Sequence, residues 1–144
     1  MRKIDYSERW HVPKKRKTEF TTDELWDIID FYIQYKPIFD ENSDIEIDYP
    51  PTRAAHDFSI LLYKFETIDL DYHINFDSIR KKYGKRHVKD LSKEKLDFFD
   101  IMTVFTFIHR AERFSGGWYE GCIKDKTYYN LLSRLEEIRK EISY

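Results

Sequence analysis

Apolar side chains recur along this chain mostly at the three- and four-residue spacing of a helix. Leu25, Ile28, Ile29, Tyr32 and Ile33 fall at i, i+3, i+4, i+7 and i+8, which lines one helical face. Thr21 and Glu24 precede the run as a capping box, the hydroxyl accepting an N–H three residues on and the carboxylate reaching back. Pro37 ends it, because the residue before a proline is pushed out of the helical region. The pattern therefore predicts a first helix over about 22–35.

Ala55, Phe58, Ile60, Leu61, Leu62 and Phe65 predict a second helix over 52–66, with Thr52 as its N-cap. Over 67–75 the pattern changes: Ile68, Leu70, Tyr72 and Ile74 alternate like a short strand, and Phe76–Tyr83 reads as one or two helical turns stopped by Gly84. Ser92 is a suitable N-cap for a long helix over 93–114, closed by Gly116-Gly117. Between Ile101 and Ile108 that helix has no charge and is apolar on nearly every face, which makes it the central buried one. A short helix near 118–123 and an amphipathic closing helix through Tyr128, Leu131, Leu132, Leu135, Ile138 and Ile142 complete the set, with Glu136 and Lys140 at pairing distance. The expectation is an all-α domain of five or six helices over 21–144, with a minor β element near 67–75 and an N-terminal arm over 1–20.

Composition sharpens this picture. Gly and Pro number four each, too few for the many tight turns of a sandwich or barrel. Aromatics make up 17% of the 144 residues, so rings dominate the core. Mean hydropathy is -0.72, and no apolar stretch reaches the roughly 20 residues that cross a bilayer. Met1-Arg2-Lys3-Ile4-Asp5 lacks a secretory apolar core, and Cys122 has no second cysteine to bridge; both point to the cytoplasm. The net charge of -2 conceals a division: residues 1–17 hold seven Lys/Arg against Asp5 and Glu8, leaving the arm at +5 and the rest at about -7.

Three groups of residues carry candidate chemistry. His109, Glu112 and Arg113 share one face where the dry helix turns charged, with Arg110 on an adjoining edge and Trp118 just beyond. Such a cluster could bind a phosphate or carboxylate in fork geometry and move a proton. It could equally complement the helix C-terminus, with Glu112 paired to an arginine. In the arm, Arg9, Trp10, Lys14, Lys15, Arg16 and Lys17 combine charge with a stacking ring, the outline of a nucleic-acid contact or an import signal, or simply of a solvated tail. Asp40, Glu41, Asp44, Glu46 and Asp48 form an acidic loop that could meet a basic partner. Its opening resembles a calcium loop, but Ile45 stands where that loop needs glycine and Pro51 where it needs glutamate. His56, His73 and His87 lack metal-ligand spacing, and Cys122 reads as a small buried hydrophobe. Known catalytic motifs are absent, and no metal or cofactor is expected.

Arg110, Glu112, Arg113 and Phe114, followed by Gly117, Cys122-Ile123-Lys124-Asp125 and Leu131–Leu135 around Arg134, resemble a bacterial and phage family known only as a domain of unknown function, number 6508. The resemblance runs from about Phe58 to Glu141, and where the family usually has a glycine this chain has Lys126. It implies a bacterial or phage protein. The leading expectation is an accessory or regulatory protein working through protein–protein contacts, able to inhibit or regulate a host system, and not an enzyme. The alternatives are nucleic-acid binding through the arm over 2–17, and an enzyme on a nucleotide or phosphorylated ligand using His109, Arg110, Glu112 and Arg113.

Overall fold

The structure, a computed structural model, describes residue 13 and residues 15–40 and 50–142. Seven α-helices run through them: α1 (Thr22–Ile33), α2 (Pro51–Lys64), α3 (Tyr72–Tyr83), α4 (Val88–Leu91), α5 (Phe98–Phe114), α6 (Trp118–Lys124) and α7 (Thr127–Glu141), with a 3₁₀ turn at Lys36–Phe39. No strand occurs among the described residues, and no helix there is long and apolar enough to cross a membrane.

The helix starts follow local hydrogen bonding. Thr21 Oγ1 accepts from the Glu24 N–H at 3.1 Å while Glu24 accepts from the Thr21 N–H at 3.2 Å, completing the expected capping box. Two other expected caps move. Helix α2 begins at Pro51, whose missing N–H costs nothing in a first turn, so Thr52 lies inside it. Ser92 starts no helix: its hydroxyl donates back to the Lys89 carbonyl at 2.6 Å, and Asp97 caps α5 instead, accepting from the Asp100 N–H at 2.8 Å.

The strand-like alternation over 67–75 is helical from Tyr72 onward. Its side chains do not sort onto one sheet face: Ile68 is buried, but Ile74 is 60% exposed. Helix α3 ends at Gly84, which adopts the left-handed conformation (φ 64°) open to a residue without Cβ. The Gly116-Gly117 pair acts differently from expectation: α5 ends on the extended Ser115, and the left-handed Gly117 (φ 101°) leads into α6. At the turn into α7, Lys126 itself takes the left-handed conformation (φ 67°), while Asp125 accepts from the Thr127 N–H and hydroxyl. Position 126 is thus one that a residue without Cβ would occupy with less strain.

Helix α5 is the central element, with nine of its residues buried from Phe98 to His109. Phe58 of α2 sits among Tyr32, Tyr35, Phe105 and Tyr128, ring centroids 4.5–6.3 Å away, in edge and tilted contacts that suit ring quadrupoles. Helix α7 closes against α1, where Arg139 pairs with Asp30 at 3.0 Å and lies over the Trp26 ring. Glu136 reaches Lys36 at 2.9 Å rather than Lys140, because α7 presents that side to the 3₁₀ turn.

Candidate functional site

The charged end of α5 separates into residues with different duties. His109 is 7% exposed. Its Nδ1 lies 2.8 Å from the Tyr119 hydroxyl and its Nε2 3.3 Å from the Tyr63 hydroxyl. Ser59 donates to the Ala55 carbonyl and Tyr119 donates to Ser59. Each hydroxyl has one proton to give, so Tyr119 must accept from His109 Nδ1–H, and Nε2 must accept from Tyr63. The chain of donors ends on a helix carbonyl that has no proton to return. Burial first, then Arg113, Arg110 and His56, lower the His109 pKa to about 4, so the ring is neutral. It ties α2, α5 and α6 together.

Glu112 pairs with no arginine among the described residues. It accepts from the Trp118 N–H at 2.8 Å and the Tyr119 N–H at 3.5 Å, satisfying the otherwise orphan donors that open α6. Arg110 is half-buried with its Nε unpartnered, Arg113 is exposed, and Phe114 is 80% exposed. Arg110 and Arg113 both lie close enough to His109 to repel its protonated form, while Glu112 is committed to the start of α6. Cys122 is buried and its thiol pushed up to about 12 by desolvation, then by Asp125 and Glu112, which leaves it a small hydrophobe.

The described end of the arm is anchored to the body. Arg16 Nη1 lies 3.3 Å from Asp69 Oδ2 and Nη2 donates to the Phe99 carbonyl, the guanidinium standing over the Phe99 ring. Asp69, 2% exposed, also accepts from Thr103, Asn75 and the Asp71 N–H. Lys17 pairs with Glu24, and its N–H donates to the Glu66 carbonyl. Lys15 is exposed. Arg9, Trp10 and Lys14 lie outside the described residues, as do Glu41, Asp44, Glu46 and Asp48; Asp40 is half-buried at the end of the 3₁₀ turn.

A second basic run among the described residues lies within the body that is acidic as a whole. From Arg80 to Lys89 the chain reads Arg-Lys-Lys-Tyr-Gly-Lys-Arg-His-Val-Lys, six cations without one acid. Arg80 and Lys82 are engaged by Asp77 and, at 4.0 Å, by Asp100. Lys81, Lys85, Arg86 and Lys89 are exposed and form no ion pair among the described residues. The α3 C-terminal dipole accounts for Arg80, Lys81 and Lys82, but not for the cations past Gly84.

These cations border two adjoining depressions that share Arg80 and Arg86. One, of about 330 Å³, is lined by Phe76, Phe107, Trp118, Arg80, His87 and Lys89, with Cys122 also in its wall. The other, of about 420 Å³, lies against Asp77, Lys81, Gly84 and Lys85. The aromatic wall is preformed: Phe76 stacks on Phe107 at 4.1 Å, and Trp118 meets Phe107 edge-on at 5.5 Å. Asp125 also borders the cleft, but one carboxylate oxygen is taken by Thr127. Trp118 is the member of the expected cluster that reaches this surface. Among the described residues, no group of three His, Cys, Asp or Glu side chains is arranged to hold a metal.

Comparisons of the chain with protein-family models, curated proteins and solved structures gave no match.

Proposed function

We propose that this is a binding protein for nucleic acid, which it holds along the basic edge formed by the end of α3, the turn at 84–87 and α4. The observation that carries the reading is the set Lys85, Arg86 and Lys89, three exposed cations that form no ion pair among the described residues, with Lys81 near Asp77 at the same edge, beside an aromatic-lined cleft. Exposed cations on one edge gain by releasing condensed counterions from a phosphate backbone. At the described end of the arm, Arg16 and Lys17 are occupied by Asp69 and Glu24, so this reading places the contact on the 80–89 edge.

The test is a pair of altered chains measured against the unaltered one by fluorescence anisotropy with a labelled mixed-sequence oligonucleotide at low salt. Lys85→Glu with Arg86→Glu is expected to weaken binding at least about tenfold, since each lost phosphate contact also becomes a repulsion. Deleting residues 1–14 is expected to weaken it less. The opposite ranking would return the contact to the arm.

A protein partner is the second reading, favoured by Phe114, a large ring left 80% exposed beside Arg113; isolated rings of this kind serve as interface anchors. An accessory role in a bacterium or phage belongs to the same reading and rests on the resemblance to the uncharacterised family. If it holds, Phe114→Ser removes a partner without changing oligonucleotide affinity.

A further inference from the structure

We propose that the cleft between α3, α4 and α6 receives one unpaired base, so that the protein distinguishes single-stranded nucleic acid from duplex. This rests on the reading of the 80–89 edge as a nucleic-acid surface and goes beyond it: the edge supplies charge, whereas the cleft supplies selection. A flat row of cations would attract any polyanion. Here the row borders a recess of about 330 Å³, at the lower end of the range of about 300–1,000 Å³ seen for small-ligand sites and suited to a single ring system.

The recess has the surfaces a base needs. Trp118 is half-buried, its ring packed edge-on to Phe107, which holds it in place in the cleft wall. Phe107 is backed by the stacked ring of Phe76, over which the Arg80 guanidinium lies at 5.0 Å. Phe76 itself is buried under these two groups, so a base entering beside Trp118 would meet the partly exposed Trp118 and Phe107 rings and the planar Arg80 cation, the combination that binds unpaired bases without regard to sequence. Arg86, His87 and Lys89 border the same opening, where the phosphates flanking that base would pass. In a duplex, bases are stacked and paired and offer no free face to such a recess, so only the backbone could be bound.

The test uses the full chain and three labelled dodecamers: oligothymidylate, an abasic strand of the same length, and a self-complementary duplex. The abasic strand keeps every phosphate and lacks every base. The expected result is that oligothymidylate binds roughly tenfold or more tightly than the abasic strand, the range a stacked base supplies, and more tightly than the duplex. Trp118→Leu is expected to erase the preference for the base-bearing strand while leaving abasic affinity unchanged; Trp118→Phe, which keeps a ring, is expected to retain most of it. A general loss of folding would lower both affinities, whereas loss of the base pocket alone leaves abasic affinity in place, so the two outcomes are told apart by the abasic strand. Equal affinity for oligothymidylate and the abasic strand would overturn the base pocket while leaving the charged edge intact. Binding of none of the three would overturn the edge as well.

Discussion

His109 is the residue whose chemistry changes most between sequence and fold. An imidazole with its ordinary pKa near 6.5 is lowered to about 4 by burial, with Arg113, Arg110 and His56 adding repulsion. The unfolded chain therefore binds a proton that the folded one refuses. Stability is fully present above the unfolded value and declines as pH falls from about 6.5 toward 4, by at most about 3 kcal/mol. Chemical denaturation at pH 7.5 and 4.5 should show this loss, and His109→Gln, which cannot titrate, should show less of it though it starts less stable. Glu66 makes a second point at the same scale. It sits at φ 58° with its carbonyl bonded to the Lys17 N–H. A Cβ there is strained, so Glu66→Gly should melt higher than Glu66→Ala, by about 1 kcal/mol. Neither effect is legible in sequence, because both depend on where the backbone and neighbours place the residue.

At the scale of elements, local signals were readable where the residues that give them also receive them. Thr21 and Glu24 satisfy each other within one turn, so their spacing alone announces α1. Ser92 has the right chemistry for an N-cap, yet its hydroxyl finds the Lys89 carbonyl behind it, and the start of α5 passes to Asp97. Alternation at Ile68, Leu70, Tyr72 and Ile74 misleads because α3 lies on α5 through Phe76 and Ile79, leaving Ile74 in solvent. The segment at 15–20 illustrates contacts that no local pattern contains: Arg16 joins Asp69, Thr103 and the Phe99 carbonyl across 53 to 87 residues. Removing it leaves the buried Asp69 charge short of its cation. Arg16→Ala should cost about 2–4 kcal/mol in thermal unfolding, whereas Lys15→Ala, exposed in the same segment, should change stability by less than about 0.5 kcal/mol.

Across the whole molecule, an overall charge of -2 says little about which anions or cations it meets. The division into a basic arm and an acidic body was visible in sequence, but averaging over the body hid Arg80–Lys89 inside it. That stretch spans the end of α3, a turn and all but the last two residues of α4, and only the fold sets it beside Trp118, a residue already singled out for its place after the charged end of α5. Half of the candidate site was thus legible as a lone aromatic, and the other half as an unremarked run of cations. The all-α class was legible because helical periodicity marks the longer elements and breakers are few, although α4 and the start of α3 gave no such signal; a surface depends on which elements pack together.

The central claim is that the edge at 81–89 neutralises phosphates. Its most direct measurement is the dependence of oligonucleotide affinity on salt, for the unaltered chain and for Lys85→Ala with Arg86→Ala. With two phosphate contacts removed, the slope of log affinity against log salt should become shallower by about 1.4 for a single strand. An unchanged slope in a variant that still folds would contradict the account.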